Sequence, residues 1–331
     1  MFDYGSLADR SLAGEVLTLP ECHRILSSVD DDLLALLQAA FTVRRRHFGR
    51  RVRLHMLINA KSGLCPEDCG YCSQSKRSTA PIDRYPLLPA DELLAGAERA
   101  VQARARRFCI VTSGRGPTPR EVAEIGTVAS EIKRRYPLEL CCSLGLLTPS
   151  DAQALKTAGV DRINHNLNTS ERFYPQICAT HSYQDRLETL RNARDAGLEV
   201  CSGGIVGMGE SPDDLIEMGL AFRRENVDSI PVNFLHPVEG TPLAGAASLS
   251  PGDCLRALCL MRFLNPATEI RIAGGREHNL RSMQPLALYP ANALFVGGYL
   301  TTPGQAPGEA WRMIEDWGFE IETVASEAAA R

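Results

Sequence analysis

From about residue 52 onward, short runs of β-forming residues alternate with longer amphipathic stretches. The runs that predict strands are Arg53–Asn59, Arg107–Ser113, Leu138–Leu144, Arg162–Leu167, Leu198–Gly204, Ser229–Phe234, Glu269–Ala273 and Ala293–Val296. Each interval between them is wide enough for one helix. Eight strand-then-helix units in series predict an α/β fold, a (β/α)8 TIM-type barrel. Four helix starts share one pattern: Thr118-Pro-Arg-Glu121, Thr148-Pro-Ser-Asp151, Ser211-Pro-Asp-Asp214 and Ser250-Pro-Gly-Asp253. In each, a hydroxyl N-cap precedes proline at the first helical position, with an acid at the third that can reach back to the cap. Gly159 and Gly197 each follow a helical run and precede a strand, as C-terminal stops should. The first fifty residues read as helical, with Asp30–Phe48 the clearest segment, and the tail after Pro303 reads as one capping helix and a loose end. The expected organisation is an N-terminal helical extension over 1–51, the barrel over 52–303, and a C-terminal cap and tail over 304–331.

Composition changes this picture little. The 331 residues exceed a usual single-core domain, but one such barrel occupies about 250. A formal charge of −4 gives no global reason to bind nucleic acid or a membrane surface. The basic stretch Arg44–Arg53 reads as a solvated helix end running into the first strand. No apolar run approaches the roughly 18–20 residues of a membrane span. The N-terminus lacks a basic region followed by an apolar one. The expected location is a reducing cytoplasm, where the 11 cysteines remain thiols available to metals.

Three of those thiols sit together. Gly63-Leu-Cys-Pro-Glu-Asp-Cys-Gly-Tyr-Cys-Ser73 places Cys65, Cys69 and Cys72 in one loop directly after the first strand, where a barrel opens onto its catalytic face. A cubane iron–sulfur cluster normally takes four cysteines, so three leave one iron open to a chelating small molecule. That arrangement is expected of a radical S-adenosylmethionine (SAM) enzyme, in which the amino and carboxylate groups of SAM bind the open iron. A structural zinc loop would need a fourth ligand, and the next cysteine, Cys109, stands alone far downstream.

Strand parity brings out a second set, because alternate residues face the lumen or the helices. With Phe108 and Ile110 facing outward, Cys109 turns inward. Leu138, Leu140, Cys142 and Leu144 form the outer set of the third strand, leaving Glu139, Cys141 and Ser143 in the lumen. Val200 faces out while Glu199 and Cys201 face in. Cys109, Cys141 and Cys201 therefore converge from three strands, an arrangement that suits a second metal site. A one-residue slip would exchange Cys141 for Cys142. Cys22, Cys178, Cys254 and Cys259 fall in helices or loops and read as structural thiols. Arg271, between Ile270 and Ile272, also points inward and needs an anion, either thiolate-bound iron–sulfur or a lumen acid such as Glu139. Asn164, Asn166 and Asn168 share one face of the fourth strand, suited to a urea, amide or ribose, or to bonding one another. Asn233 projects into the same region, and His165 falls on the opposite face as a satisfied structural histidine. The glycine-rich segment 203–210 permits close backbone approach to a ligand.

These residues resemble the biotin synthase family of radical SAM enzymes over about residues 5–322. The matching stretches are Asn59-Ala-Lys-Ser-Gly-Leu-Cys-Pro-Glu-Asp-Cys-Gly-Tyr-Cys-Ser-Gln-Ser75, Ile163-Asn-His-Asn-Leu-Asn-Thr-Ser170, Val200-Cys-Ser-Gly-Gly-Ile-Val-Gly-Met-Gly-Glu210, Ile230-Pro-Val-Asn-Phe-Leu235, Ile270-Arg-Ile-Ala-Gly-Gly-Arg-Glu277 and Tyr299-Leu-Thr-Thr-Pro303. The resemblance implies a [4Fe–4S] cluster on Cys65, Cys69 and Cys72, and a sulfur-donating [2Fe–2S] cluster on Cys109, Cys141, Cys201 and Arg271. It implies that Tyr71, Asn166, Asn168 and Arg186 surround SAM, and that Asn164, Asn233 and Thr301 surround dethiobiotin. Some members carry aspartate where this chain has Asn168, and a carboxamide can still bond a ribose hydroxyl. The implied partners are an electron donor such as flavodoxin or ferredoxin, iron–sulfur assembly proteins, and a second copy in a homodimer. The competing expectations are another radical SAM barrel, such as a methylornithine synthase or a hydrogenase maturase, and a non-catalytic iron–sulfur carrier.

Overall fold

Three helices, α1 (Tyr4–Leu12), α2 (Leu19–Leu26) and α3 (Leu33–Phe48), lead into the first strand in the computed structural model, which describes residues 2–323. The barrel then runs β1 (Arg51–Lys61), α4 (Ala90–Gln102), β2 (Arg107–Thr112), α5 (Pro119–Arg135), β3 (Glu139–Ser143), α6 (Pro149–Thr157) and β4 (Arg162–Asn164). Two helices follow, α7 (Tyr174–Ile177) and α8 (Tyr183–Asp195), and then β5 (Glu199–Cys201), β6 (Gly204–Val206), α9 (Pro212–Arg224) and β7 (Ser229–Phe234). The circuit ends with α10 (Pro251–Leu264), β8 (Glu269–Ile272), α11 (Arg276–Leu280) and β9 (Ala293–Phe295). Outside it lie α12 (Pro307–Asp316) and β10 (Glu320–Ile321). All ladders are parallel, and β1 pairs with both β2 and β9, so the sheet closes on itself. The eight-stranded barrel is the one that the hydrophobic pattern predicts.

The local chemistry accounts for the helix starts. Thr118, Thr148, Ser211 and Ser250 each accept from the backbone N–H three residues on, while the acid at that position accepts from the cap's own N–H. Two donors are satisfied at each of these four starts. Gly159 and Gly197 adopt φ of +92° and +77°, the left-handed conformation that ends a helix cheaply in glycine.

Several boundaries and roles differ from expectation. The fourth strand stops at Asn164 and not Leu167, and Asn168 sits at φ +70° with its N–H bonded to the Gly203 carbonyl at 3.0 Å. The fifth strand is split into β5 and β6. Its pairing with β7 runs from Cys201–Ser229 to Gly204–Val232, so the gap lies opposite Pro231, which has no N–H to give. At the start of the glycine-rich segment, Gly203 admits backbone: a Cβ there would lie 1.8 Å from the Pro231 carbonyl oxygen. Arg44 is not solvated. It is fully buried and donates to the carbonyls of Ala291 and Arg51 at 3.1 and 2.7 Å. The tail is not loose over its described part either, because β10 pairs with β1 at Arg51–Glu320 and Val52–Ile321. Residues 324–331 of the expected tail lie outside the described residues.

Candidate active site

The lumen is layered. At its floor, Glu269 is buried among cations. Arg162 donates to it at 3.1 Å, Arg53 and Arg271 approach within 3.6 and 3.7 Å, and Ser229 donates at 2.6 Å. Burial alone would raise this carboxyl, but the neighbouring guanidiniums of Arg162 and Arg107 help to hold it well below its ordinary range. Glu139, the alternative partner considered for Arg271, is held by Arg106 and Arg107.

Above the floor stand three thiols. Adjacent strands put Cys109 opposite Cys141, and Asn164 opposite Cys201. Cys141 and Cys201 are fully buried, whereas Cys109 reaches the cavity above. Cys142 packs in the apolar layer outside the barrel, as parity predicts, so no register slip has exchanged it for Cys141. A hydrogen bond from Cys141 and the charge of Arg271 pull the Cys109 thiol below its usual range, while Cys141, the donor in a buried site, is pushed up. Arg271 donates from Nη2 to Cys201 Sγ at 3.0 Å and from Nη1 to His55 Nδ1 at 2.7 Å. Its guanidinium lies over the Phe295 ring at 4.7 Å. Burial works against this cation, but Cys201, Cys109 and Glu269 outweigh it.

The upper layer encloses a cavity of about 390 Å³, within the range of small-molecule sites. Its walls include Cys65, Cys69 and Cys72 on one side and Asn164, Asn166, Asn168, Asn233, Tyr71, Arg186, Arg271 and Thr301 around them. Asn164 and the two asparagines beyond the end of β4, Asn166 and Asn168, do not bond one another. Asn164 donates to Ser143 at 3.3 Å, Asn166 accepts from the Gly203 N–H at 3.1 Å, and Asn168 donates to the Tyr71 hydroxyl at 2.7 Å. The buried Asn164 Oδ1 has no partner, an acceptor left for a ligand. Asn233 bridges the Gly204 carbonyl and the Gly274 N–H, and Thr301 shares a 2.7 Å hydrogen bond with Ser73. Arg186 is fixed by Tyr174, the Asn166 carbonyl and His181 at 2.5, 2.7 and 2.7 Å. A larger groove of about 650 Å³, lined by Leu26, Met208, Leu215 and Leu249 among others, carries no cysteine.

Three residues depart from the sequence reading. His165 is not on a remote face with its polar atoms satisfied: it lines the cavity, and its Nε2 has no partner. Burial and then Arg186 push it well below the ordinary histidine range, so it stays neutral. Cys178 is not a remote structural thiol, since its Sγ lies 3.8 Å from Cys69 Sγ and 3.3 Å from His181 Nδ1. These three form the only tight group of metal-capable side chains among the described residues, although Glu67 and Arg186 already occupy both His181 nitrogens. His55 was missed entirely, though alternation past Leu54 and Met56 turns it inward as it does Cys109.

The set of donors suits the groups implied by the pattern. Two separate thiol triads, one in a loop at the cavity wall and one in the lumen, match soft iron–sulfur centres. Residues 61–220 match the Radical SAM superfamily model, and residues 231–320 match that of the Biotin and Thiamin Synthesis associated domain. A biotin synthase of Lysinibacillus sphaericus is 51% identical over 98% of this chain and 98% of its own. One from Geobacillus kaustophilus (strain HTA426) is 52% identical over 96% of this chain and 95% of its own. Among solved structures, a methylornithine synthase superimposes with a TM-score of 0.85, covering 98% of this chain and 100% of its own at 21% identity, a likeness of fold alone. Half of the positions kept over nearly the full length, against a fifth in a protein of the same shape, decide between the two: the chain belongs to the biotin synthase family of radical SAM enzymes.

Proposed function

We propose that this chain converts dethiobiotin to biotin by inserting sulfur between two unactivated carbons, consuming two SAM molecules per product. The observation that carries the reading is the stack of two thiol triads about one carboxamide-lined cavity. Cys65, Cys69 and Cys72 would hold a [4Fe–4S] cluster, and Cys109, Cys141, Cys201 and Arg271 a [2Fe–2S] cluster. When bound, these groups and SAM supply a 5′-deoxyadenosyl radical for hydrogen abstraction and a sulfide for insertion, because the target C–H bonds offer neither an acidic proton nor a leaving group. The chain's own residues bind, orient and exclude water. Asn168 and Tyr71, bonded as a pair, and Arg186, locked from three sides, would fix the SAM end. Asn164 with its free carbonyl, Asn233 and Thr301 would hold the ureido ring and side chain of dethiobiotin. The electron donor would be a flavodoxin or ferredoxin, iron–sulfur assembly proteins would load the clusters, and the enzyme would work as a cytoplasmic homodimer. Anaerobic incubation with dethiobiotin, SAM and a reductant tests the reading. Biotin should form with two 5′-deoxyadenosines for each product. A methylornithine synthase-like or maturase-like enzyme would cleave SAM and leave dethiobiotin unchanged, and an iron–sulfur carrier would cleave none.

The ligand on the third strand is separately testable. Cys142 packs among apolar groups, so Cys142→Ala should cost about 1 kcal/mol of stability and keep the auxiliary cluster. Cys141→Ala should lose that cluster. Visible absorption and iron content of the two reconstituted variants compare them directly, and the reverse pattern would transfer the role to Cys142.

A further inference from the structure

We propose that His55 is a positioning residue for Arg271, and that through this arginine it sets the electronic character of the auxiliary cluster. The inference rests on the cluster reading given above. His55 lies on β1 in register with Arg107 on β2 and Phe295 on β9, with none of its surface exposed. A guanidinium has only donors, so the 2.7 Å contact fixes the imidazole: Nδ1 must present its lone pair to Arg271, and the ring proton sits on Nε2. That Nε2 faces Glu269 Oε1 at 3.4 Å, in a geometry short of a hydrogen bond. The result is a line from a buried carboxylate through a neutral ring to a guanidinium and on to a thiol sulfur.

The line matters because little else aims the guanidinium. Its Nε has no partner, Phe295 supplies a face without direction, and Glu269 stands 3.7 Å away. Arg53, Arg107 and Arg162, the other cations near this floor, are themselves held by Glu322, Glu139, Glu199 and Glu269 and only repel it. His55 is therefore the acceptor that turns Nη2 toward Cys201. A neutral acceptor suits the task. A carboxylate in its place would pull the guanidinium off the sulfur and add negative charge beside three thiols. Hydrogen bonds to the sulfurs and net charge are terms that set an iron–sulfur potential, and the groups that orient a ligand tune it as the ligands do.

The test uses the reconstituted full-length chain and reads the visible spectrum and midpoint potential of the auxiliary cluster in His55→Leu, His55→Asn, Arg271→Met and the His55→Leu/Arg271→Met double variant. His55→Leu should shift spectrum and potential in the same direction as Arg271→Met. The double variant should shift no further than Arg271→Met alone, and His55→Asn, which keeps a neutral acceptor, should restore much of the wild-type signature. A wild-type potential in His55→Leu, or additive shifts in the double variant, would overturn the proposal. If His55→Leu lacks native circular dichroism, His55→Ala, which also removes the acceptor, takes its place alone and with Arg271→Met in the same additivity test. Cys201→Ala is measured alongside. Retention of the full auxiliary iron in that variant would sink the cluster reading itself, whereas its loss together with an unshifted His55→Leu would sink the positioning role alone.

Discussion

Cys65→Ala, Cys69→Ala and Cys72→Ala should each reduce 5′-deoxyadenosine formation to the uncatalysed background while the barrel remains folded. The first half follows from ligand count. Three thiolates are the fewest that leave a single iron for SAM, and removing one leaves the cluster without a protein ligand on a second iron. The second half follows from what holds the loop. Ser62 and Tyr85 bridge its two ends, the Gly63 N–H donates to Gln74 at 3.0 Å, the Lys76 N–H donates to the Glu67 carbonyl at 2.9 Å, and the Gly70 N–H donates to the Ile177 carbonyl at 2.8 Å. None of these bonds passes through a thiol. Burial raises the Cys72 thiol to about 11 and also raises Cys65, while the contact with Cys178 and then burial raise Cys69. These side chains therefore sit as neutral thiols until a metal displaces the proton; replacing Cys65 or Cys72 with alanine strands no buried charge, and Cys69→Ala removes in addition the donor to Cys178 Sγ at 3.8 Å. The variants should melt within a few degrees of wild type. Measurable 5′-deoxyadenosine from any of the three, with cluster iron intact, would remove that residue from the ligand set.

The reach of the sequence stopped at a physical boundary. Period-two alternation is imposed by the strand backbone itself, so it could place Cys109, Cys141, Cys201 and Arg271 in the lumen with no knowledge of their partners. The same rule turns His55 inward, but a lone histidine between Leu54 and Met56 belongs to no motif that would mark it. Capping is equally local, which is why the helix starts at Thr118, Thr148, Ser211 and Ser250 were legible. Cys178 was not. It lies on the loop between α7 and α8, where no periodicity applies, and it meets Cys69 only because the barrel folds that loop back over the cysteine motif. The neighbour of Gly203 was illegible for a related reason. Its constraint comes from Pro231 on a neighbouring strand, so the close approach that glycine permits could be recognised while the neighbour could not. Arg44 failed on arithmetic of another kind: a basic run on a helix has one face turned inward, and only the carbonyls of Ala291 and Arg51 show which residue occupies it.

Cys201→Ala and Cys109→Ala should separate SAM cleavage from sulfur insertion. Both thiols belong to the lumen layer, beneath the cavity whose wall carries Cys65, Cys69 and Cys72, and no hydrogen bond joins them to that loop. Binding of SAM and its reductive cleavage should persist in both variants, although slower if dethiobiotin sits less firmly. Biotin formation should fall to background, because each variant removes one of the three lumen thiols that would hold the sulfur-donating cluster. The two variants should differ in stability. Cys109 has a thiol partner in Cys141, and its removal deletes a hydrogen bond worth about 1 kcal/mol. Cys201 accepts from Arg271 at 3.0 Å, so its removal leaves part of a buried guanidinium unpaired, a cost of about 1–3 kcal/mol and more where charge is involved. Cys201→Ala should accordingly melt at the lower temperature, and adding Arg271→Met to it should recover part of the loss by removing the stranded charge. The decisive measurement is the ratio of 5′-deoxyadenosine to biotin under anaerobic turnover. It should rise without limit in both variants. Biotin made at the wild-type rate by either would mean that the inserted sulfur does not come from the lumen thiols' cluster.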